Sequence, residues 1–165
     1  MIDWTNKVVL ITGGTGTIGH ALVTRLLKEP VQSIRIYSRD ERKQEDMARK
    51  WQDESSIHGG RIRFLLGDVG DSTRIATAMK DVDYVIHAAA LKIVPACFYN
   101  PMTCLSTNVY GTVQVIFAAL HNKVQRVVML SSDKGTEPVT LYGASKCMAE
   151  HLTIAANNYA GDFQS

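Results

Sequence analysis

The sequence of 165 residues holds three cysteines, no surplus of either charge, and no long apolar run. Cys97, Cys104 and Cys147 are an odd number with no C-x-x-C pair, which argues against a disulfide framework or a structural zinc site. No other metal-ligating cluster stands out, so no metal is expected. Lys and Arg number 18 against 16 Asp and Glu, a net charge of +2, too small to point to nucleic acid. Aromatics are 7% of the chain and do not interleave with a basic face, which removes the usual single-strand platform. Apolar runs such as Val8 to Ile11 and Val127 to Leu130 are far too short to span a bilayer. The start, Met-Ile-Asp-Trp-Thr-Asn-Lys, has an acid where a signal peptide carries its basic residues. No repeat or low-complexity segment is present. The expectation is a cytoplasmic globular domain, 45% hydrophobic, with neither membrane nor nucleic acid as a partner.

What is present is alternation. Short apolar runs at Lys7–Ile11, Ser33–Tyr37, Arg61–Leu66, Asp83–Ala88 and Gln125–Leu130 read as strands. Between them lie amphipathic stretches with helical spacing. Ile18, Leu22, Leu26 and Leu27 form the first inward stripe, which Pro30 ends. Asp40 to Trp51 is a mixed-sign charged helix, best read as a solvated face. Asp71 is placed to cap a short helix with Ile75 and Met79 inward. Asn100 to His121 reads as one long helix, with Gly111 a cost unless another element closes on it. Leu141 to about Asn158 reads as the last. The predicted fold class is α/β: an NAD(P)-binding, Rossmann-like, doubly wound parallel sheet in the order 3-2-1-4-5.

Two stretches carry chemistry. Gly13, Gly16 and Gly19 stand between the first strand and its helix. In that setting the first glycine permits a tight turn, the second lets backbone approach a pyrophosphate, and the third permits close packing. The helix N-terminus from Thr17 then offers free amides to phosphate. Thr15, Thr17 and Ile18 complete the loop. The second strand ends Ser38-Arg39-Asp40. A hydroxyl and a guanidinium there suit a 2′-phosphate, with Lys43 one turn on, so the sequence favours NADP; Asp40 turning inward is the NAD alternative. Asp68 is placed to meet the adenine, with Val69 beside it. After the fifth strand come Ser132, Tyr142 and Lys146. The Y-x-x-x-K spacing sets an ammonium beside a phenol on one helix face, which favours phenolate. With a serine hydroxyl opposite, this suits proton removal from an alcohol while a nicotinamide takes hydride.

These motifs make the sequence resemble the extended short-chain dehydrogenase/reductase family. Within it, the resemblance is closest to the inverting nucleotide-sugar 4,6-dehydratases of polysaccharide and flagellin-glycan biosynthesis. It is carried by Leu10–Gly19, Tyr37–Glu41, Gly67–Val69, His87–Lys92, Thr107–Gly111, Ser132–Lys134 and Leu141–Lys146. The resemblance implies NADP as cofactor and UDP-N-acetylglucosamine or a near relative as substrate. It implies Ala88, Ala89, Ala90, Lys92 and Asn108 around the nicotinamide. It also implies Tyr142 and Lys146 oxidising C4, Lys134 as base at C5, and Asp133 as acid to the departing C6 hydroxyl. A salt bridge would satisfy Asp133 and Lys134 equally well. Ile93 replaces a usual His, Phe98 a usual Glu, and Gly135 a usual Ala. Family members are about twice as long, so residues 1–165 are expected to be an incomplete cofactor domain. Its substrate domain would lie beyond the Tyr–Lys helix. Such a half is expected to bind cofactor without turnover and to self-associate. A 4-epimerase or reductase of the same fold, and a non-catalytic nucleotide-binding module, are the rival readings.

Overall fold

A computed structural model describes residues 2–57 and 60–160, without the side chains of residues 52–57. Five strands, β1 (Val8–Thr12), β2 (Ser33–Ser38), β3 (Ile62–Leu66), β4 (Tyr84–His87) and β5 (Arg126–Met129), form one sheet in the order β3-β2-β1-β4-β5. Every pairing is parallel, with Ile11 of β1 aligned to Ile36 of β2 and Ile86 of β4. The strand order and class are those read from the sequence.

The helices α1 (Thr17–Leu26), α2 (Glu41–Ile57), α3 (Ser72–Ala78), α4 (Val94–Tyr99), α5 (Pro101–Leu105), α6 (Gly111–His121) and α7 (Leu141–Ala155) complete the fold. All five residues of β1 are buried, as the central strand of a doubly covered sheet requires. Val9 and Ile11 face a core with Val23, Leu26, Ile34, Ile36, Met47 and Trp51. Val8 and Leu10 face the opposite core, with Ile75, Met79, Val85, Val115 and Ala119. The period of two along β1 thus decides which helices each residue meets. A buried aliphatic side chain contributes about 1.5–3 kcal/mol.

Three elements differ from the sequence reading. The charged helix runs to Ile57 rather than Trp51. Ile18 is 54% exposed instead of facing the core, because it sits on the first turn of α1 at the rim of the sheet. The long helix from Asn100 is also interrupted. Residues Ser106–Tyr110 form a π turn between α5 and α6, and α4 precedes them with Pro95 in its first turn. Pro101 likewise opens α5. A proline at such a position is a helix start, a signal open to the sequence. From Pro101 to His121 the helical run is 21 residues, and an 18-residue stretch of it has mean hydropathy 1.2 and is half buried. Val115, Ala118 and Ala119 spend that apolarity on the core. Gly111 is explained by Val69, whose Cγ2 would lie 2.6 Å from any Cβ there.

Candidate active site at the C-terminal rim of the sheet

The glycine loop follows β1. Gly13 has φ +64°, and a Cβ on it would stand 2.7 Å from the backbone of Ala89. This glycine therefore provides both the turn and the close approach of β1 to the segment after β4. At Gly19 an added Cβ would lie 1.9 Å from the Gly14 carbonyl oxygen, so α1 leans directly on the loop. Gly16 is different. It is exposed, and a Cβ there meets nothing closer than the Gly13 carbonyl at 3.4 Å. Gly16 is also the N-cap of α1, and no side chain caps that helix. Its first amides remain available, with Thr17 and Ile18 exposed beside them. A loop in which Gly13 and Gly19 leave no room for a side chain, ending in an uncapped helix, fits the pyrophosphate of a dinucleotide.

The adenosine side is built differently from expectation. Ser38 is buried, and its Oγ accepts a hydrogen bond from Gln44 Nε2 at 3.0 Å. The same carboxamide nitrogen donates to the Ser38 and Leu65 carbonyls. Arg39 is paired with Asp68 at 3.4 Å, and Lys43 with Asp40 at 3.2 Å. Asp40 Oδ1 in addition accepts the Lys43 amide, which holds it as the opening turn of α2 rather than inward. Asp68 Oδ1 takes the Gly70 amide at 2.8 Å. Tyr37 donates to the Asp68 carbonyl, and burial pushes its phenol up to about 12. Each cation of the expected phosphate pocket thus has its own carboxylate, and the serine lies buried under Gln44. Little net positive charge is left for a 2′-phosphate.

The chemical side converges through α7. Thr140 caps this helix by accepting the Gly143 amide at 3.1 Å. A Cβ at Gly143 would lie 2.2 Å from the Lys134 carbonyl, so the turn Asp133–Gly135 rests against the first turn of α7. Tyr142 is 8% exposed and packs with Cys97, Cys104 and Leu91. Lys146 is buried, and its ammonium donates to the Leu130 carbonyl at the end of β5. Burial lowers the Lys146 pKa, and Glu150 opposes that shift. Ser132 Oγ donates to Asp133 Oδ1 at 2.9 Å and accepts the Lys134 amide. Lys134 Nζ reaches the same carboxylate oxygen at 3.3 Å, with both side chains more than half exposed. The Ser132 hydroxyl and the Lys134 ammonium hold the Asp133 carboxyl below its ordinary value.

Two buried residues that the sequence reading undervalued tie these parts together. Asn108, in the π turn, accepts the Leu91 amide at 2.7 Å and returns a hydrogen bond to the Leu91 carbonyl at 3.0 Å. Its Nδ2 also donates to Ser145 Oγ at 2.9 Å, and Ser145 donates to the Tyr142 carbonyl. Asn108 therefore clamps the Ala88–Lys92 segment to α7. Lys92 itself is exposed, as are Ile93 at 63% and Phe98 at 75%. The second residue is His87, which the sequence places in a strand and in the His87–Lys92 stretch without a role of its own. Its Nδ1 lies 2.6 Å from Thr12 Oγ1 and its Nε2 lies 3.1 Å from Thr112 Oγ1. Both threonines lie far off in the chain, 75 and 25 residues away, so no local signal marks this histidine. Among the described residues no cluster of three His, Cys, Asp or Glu could hold a metal ion. A groove of about 780 Å³ lies elsewhere, between α6, α7 and β5, with Ile116, Val127 and Ile154 in its walls.

Burial, and then the nearby Lys146 charge, pull His87 down to about 3 from an ordinary 6.5. Between those values the unfolded chain binds a proton that the folded one refuses. This contribution to stability is complete above pH 6.5 and is lost as pH falls toward 3. The slope from one such group is about 1.4 kcal/mol per pH unit. Urea unfolding across that range is expected to show this slope, and His87→Gln to flatten it. Equal slopes in both proteins would mean that His87 is not held neutral.

Comparison with known proteins agrees with the fold and corrects one expectation. A family model described as polysaccharide biosynthesis protein matches residues 9–165. An inverting UDP-N-acetylglucosamine 4,6-dehydratase of Campylobacter jejuni is 47% identical over 160 residues, 96% of this chain and 46% of that protein. A UDP-glucose 4-epimerase of Rickettsia bellii is also 47% identical, over 91% of this chain and 43% of its own length. The chain thus spans about half the length of the curated relatives it matches. The X-ray structure of Pen from Bacillus thuringiensis superposes with a TM-score of 0.91 at 39% identity, over 98% of this chain and 48% of that one.

A UDP-glucose 4-epimerase from Stenotrophomonas maltophila, solved with NAD and formylated UDP-arabinopyranose, gives 0.77 at 27% identity, over 94% and 50% of the two chains. MoeE5, in complex with UDP-glucose and NAD, gives 0.74 at 26%, over 90% and 48%. The cofactor in these related structures is NAD. That overturns the expectation of NADP, and with it the reading as an NADP-dependent 4,6-dehydratase. The physical reason lies in the pocket itself: Arg39 and Lys43 are each paired with a carboxylate of the chain, and Ser38 is buried. The chain belongs to the polysaccharide biosynthesis protein family, as an extended short-chain dehydrogenase/reductase-type domain closely related to inverting UDP-N-acetylglucosamine 4,6-dehydratases.

Proposed function

We propose that this chain is the cofactor half of a nucleotide-sugar enzyme that oxidises a sugar C4 hydroxyl with NAD, and that 4-epimerisation is the reaction it completes. The observation that carries the reading is the rim itself. Tyr142 and the buried Lys146 sit on the first turns of α7, beyond β5. The glycine cradle opens at the end of β1, two strands away in the same sheet. NAD, when bound, supplies a hydride acceptor. Gly13, Thr15, Gly16, Thr17, Ile18 and Gly19 would hold its pyrophosphate, Asp68 and Val69 its adenosine, and Ala88–Ala90, Lys92 and Asn108 its nicotinamide end.

Tyr142 would take the C4 hydroxyl proton, with Lys146 favouring the phenolate it needs. Ser132 Oγ, turning from Asp133, would donate to the oxygen of that hydroxyl and so orient it. The 4-keto sugar that results can be reduced from its other face once it has turned in the site, and Tyr142 returns the proton. Epimerisation asks nothing of Asp133 and Lys134. Their mutual pairing in open solvent supports a structural part for them. The relatives named UDP-glucose 4-epimerase support the same choice. The nucleotide-sugar partner, self-association and a cytoplasmic setting belong to this proposal as well.

Two measurements test it. Fluorescence titration of the chain is expected to favour NADH over NADPH by about tenfold or more, since an unpaired 2′-phosphate must be desolvated. A preference for NADPH would reject the NAD reading. Incubation of the full-length protein with UDP-glucose and with UDP-N-acetylglucosamine, followed by proton NMR, is expected to yield the C4 epimer. A 4-keto-6-deoxy product would reject epimerisation.

A further inference from the structure

We propose that His87, as its Nε2–H tautomer, is a positioning residue that passes a one-directional chain of hydrogen bonds from the Ala89 amide to the Asn108 carbonyl. The direction follows from the valence of each partner. The Asn108 carbonyl can only accept, so Thr112 Oγ1, 2.7 Å away, spends its one proton there. The 3.1 Å contact between Thr112 Oγ1 and His87 Nε2 must then use a proton on the ring nitrogen. A neutral imidazole has one N–H, which leaves Nδ1 bare and able only to accept. Thr12 Oγ1, at 2.6 Å, donates to it. The freed lone pairs of Thr12 Oγ1 face the Ala89 amide, which donates at 3.3 Å. No donor in the chain is left over.

The ends of this chain give it a purpose. Thr12 precedes the glycine loop on β1, and Ala89 is the residue whose backbone Gly13 nearly touches. Asn108 clamps Leu91 by both its amide and its carbonyl and reaches α7 through Ser145. His87 therefore spans β1, β4 and the π turn. It sets where the segment Ala88–Lys92 lies between the cradle and Tyr142. A charged ring would have two donors and would break the chain at Thr12. Its burial and the positive charge of Lys146 both oppose that state. The assignment of a role in the cofactor site rests on the NAD reading above.

Two readouts separate this proposal from that reading. Nitrogen-15 NMR of histidine-labelled chain, with no cofactor added, is expected to show His87 protonated at Nε2 alone. A proton at Nδ1 would overturn the chain whatever the cofactor proves to be. The second readout is NADH affinity in folded variants at Thr112. Thr112→Val keeps the volume but cannot accept from His87 or donate to Asn108, and is expected to weaken binding about three- to tenfold. Thr112→Ser keeps the hydroxyl and is expected to stay within about twofold. Should Thr112→Val fail to fold, Thr12→Val and Thr12→Ser make the same comparison from the other end. Unchanged NADH affinity in the folded valine variants would overturn the positioning role. Equal losses in valine and serine would do the same, since they would report packing alone. Wild-type chain that binds no NADH would reject the cofactor reading, and the positioning role with it, while the tautomer result would stand.

Discussion

Tyr142→Phe is expected to lower turnover of the full-length protein by about 10²- to 10⁴-fold, the range a positioned acid–base group supplies. The ring would remain, because Tyr142 is nearly buried in a cluster with Cys97, Cys104 and Leu91. What disappears is one oxygen at the rim. Binding of NADH should therefore hardly change, and the loss should fall on kcat rather than on cofactor affinity. The check is a pair of measurements on the same protein: product formation from the nucleotide sugar, and fluorescence titration with NADH. A variant that keeps most of its turnover would show that Tyr142 is not the proton acceptor. Lys146 offers the matching test. Its ammonium is held against the Leu130 carbonyl, so Lys146→Met should depress turnover and leave the helix in place.

The second large effect is at the glycine loop, where two substitutions of equal size should behave differently. In Gly19→Ala the new methyl would lie 1.9 Å from the Gly14 carbonyl oxygen, and backbone cannot yield as a side-chain tip can. Helix α1 must move off the loop. The expected cost is about 1–3 kcal/mol of stability, the ordinary penalty of forcing volume into a packed site, together with most of the NADH affinity. In Gly16→Ala the methyl meets nothing nearer than 3.4 Å, so the unliganded fold should keep its stability. Only the approach of the pyrophosphate is obstructed there. Thermal unfolding and NADH titration of both variants decide the matter. The reading predicts loss of stability and binding at Gly19 and loss of binding alone at Gly16. If Gly16→Ala binds NADH as wild type does, the cradle is not where the pyrophosphate lies.

The two glycines show why part of this site is legible in the sequence. Their spacing, and their position between an apolar run and a helical one, are local patterns. So is the four-residue spacing of Tyr142 and Lys146. The alternation of strands and amphipathic stretches is local too, and with right-handed crossovers it leaves few sheet orders open. The order β3-β2-β1-β4-β5 is among them. Even Gly111 announces a close approach, though the approaching residue, Val69, is not identifiable from its neighbours in the chain.

Other features are decided at longer range. Ser38 and Arg39 read as a phosphate pocket, with only the neighbouring Asp40 to suggest otherwise. Only folding brings Gln44 under Ser38 and Asp68 beside Arg39. The break in the helix after Asn100 has no local cause either. Asn108 is drawn to Leu91 and Ser145, 17 and 37 residues away, and the turn widens where its side chain makes those bonds. His87 meets Thr12 across 75 residues and Thr112 across 25. Sequence by itself determined the class of the fold, the glycine turn after β1 and the placing of Tyr142 and Lys146 on one helix, because backbone geometry and side-chain period are properties of neighbouring residues. The tertiary structure alone decided the charge balance at the adenosine end and the buried polar frame behind the rim. A buried hydrogen bond or ion pair depends on which partner arrives, and that is a property of the packed chain.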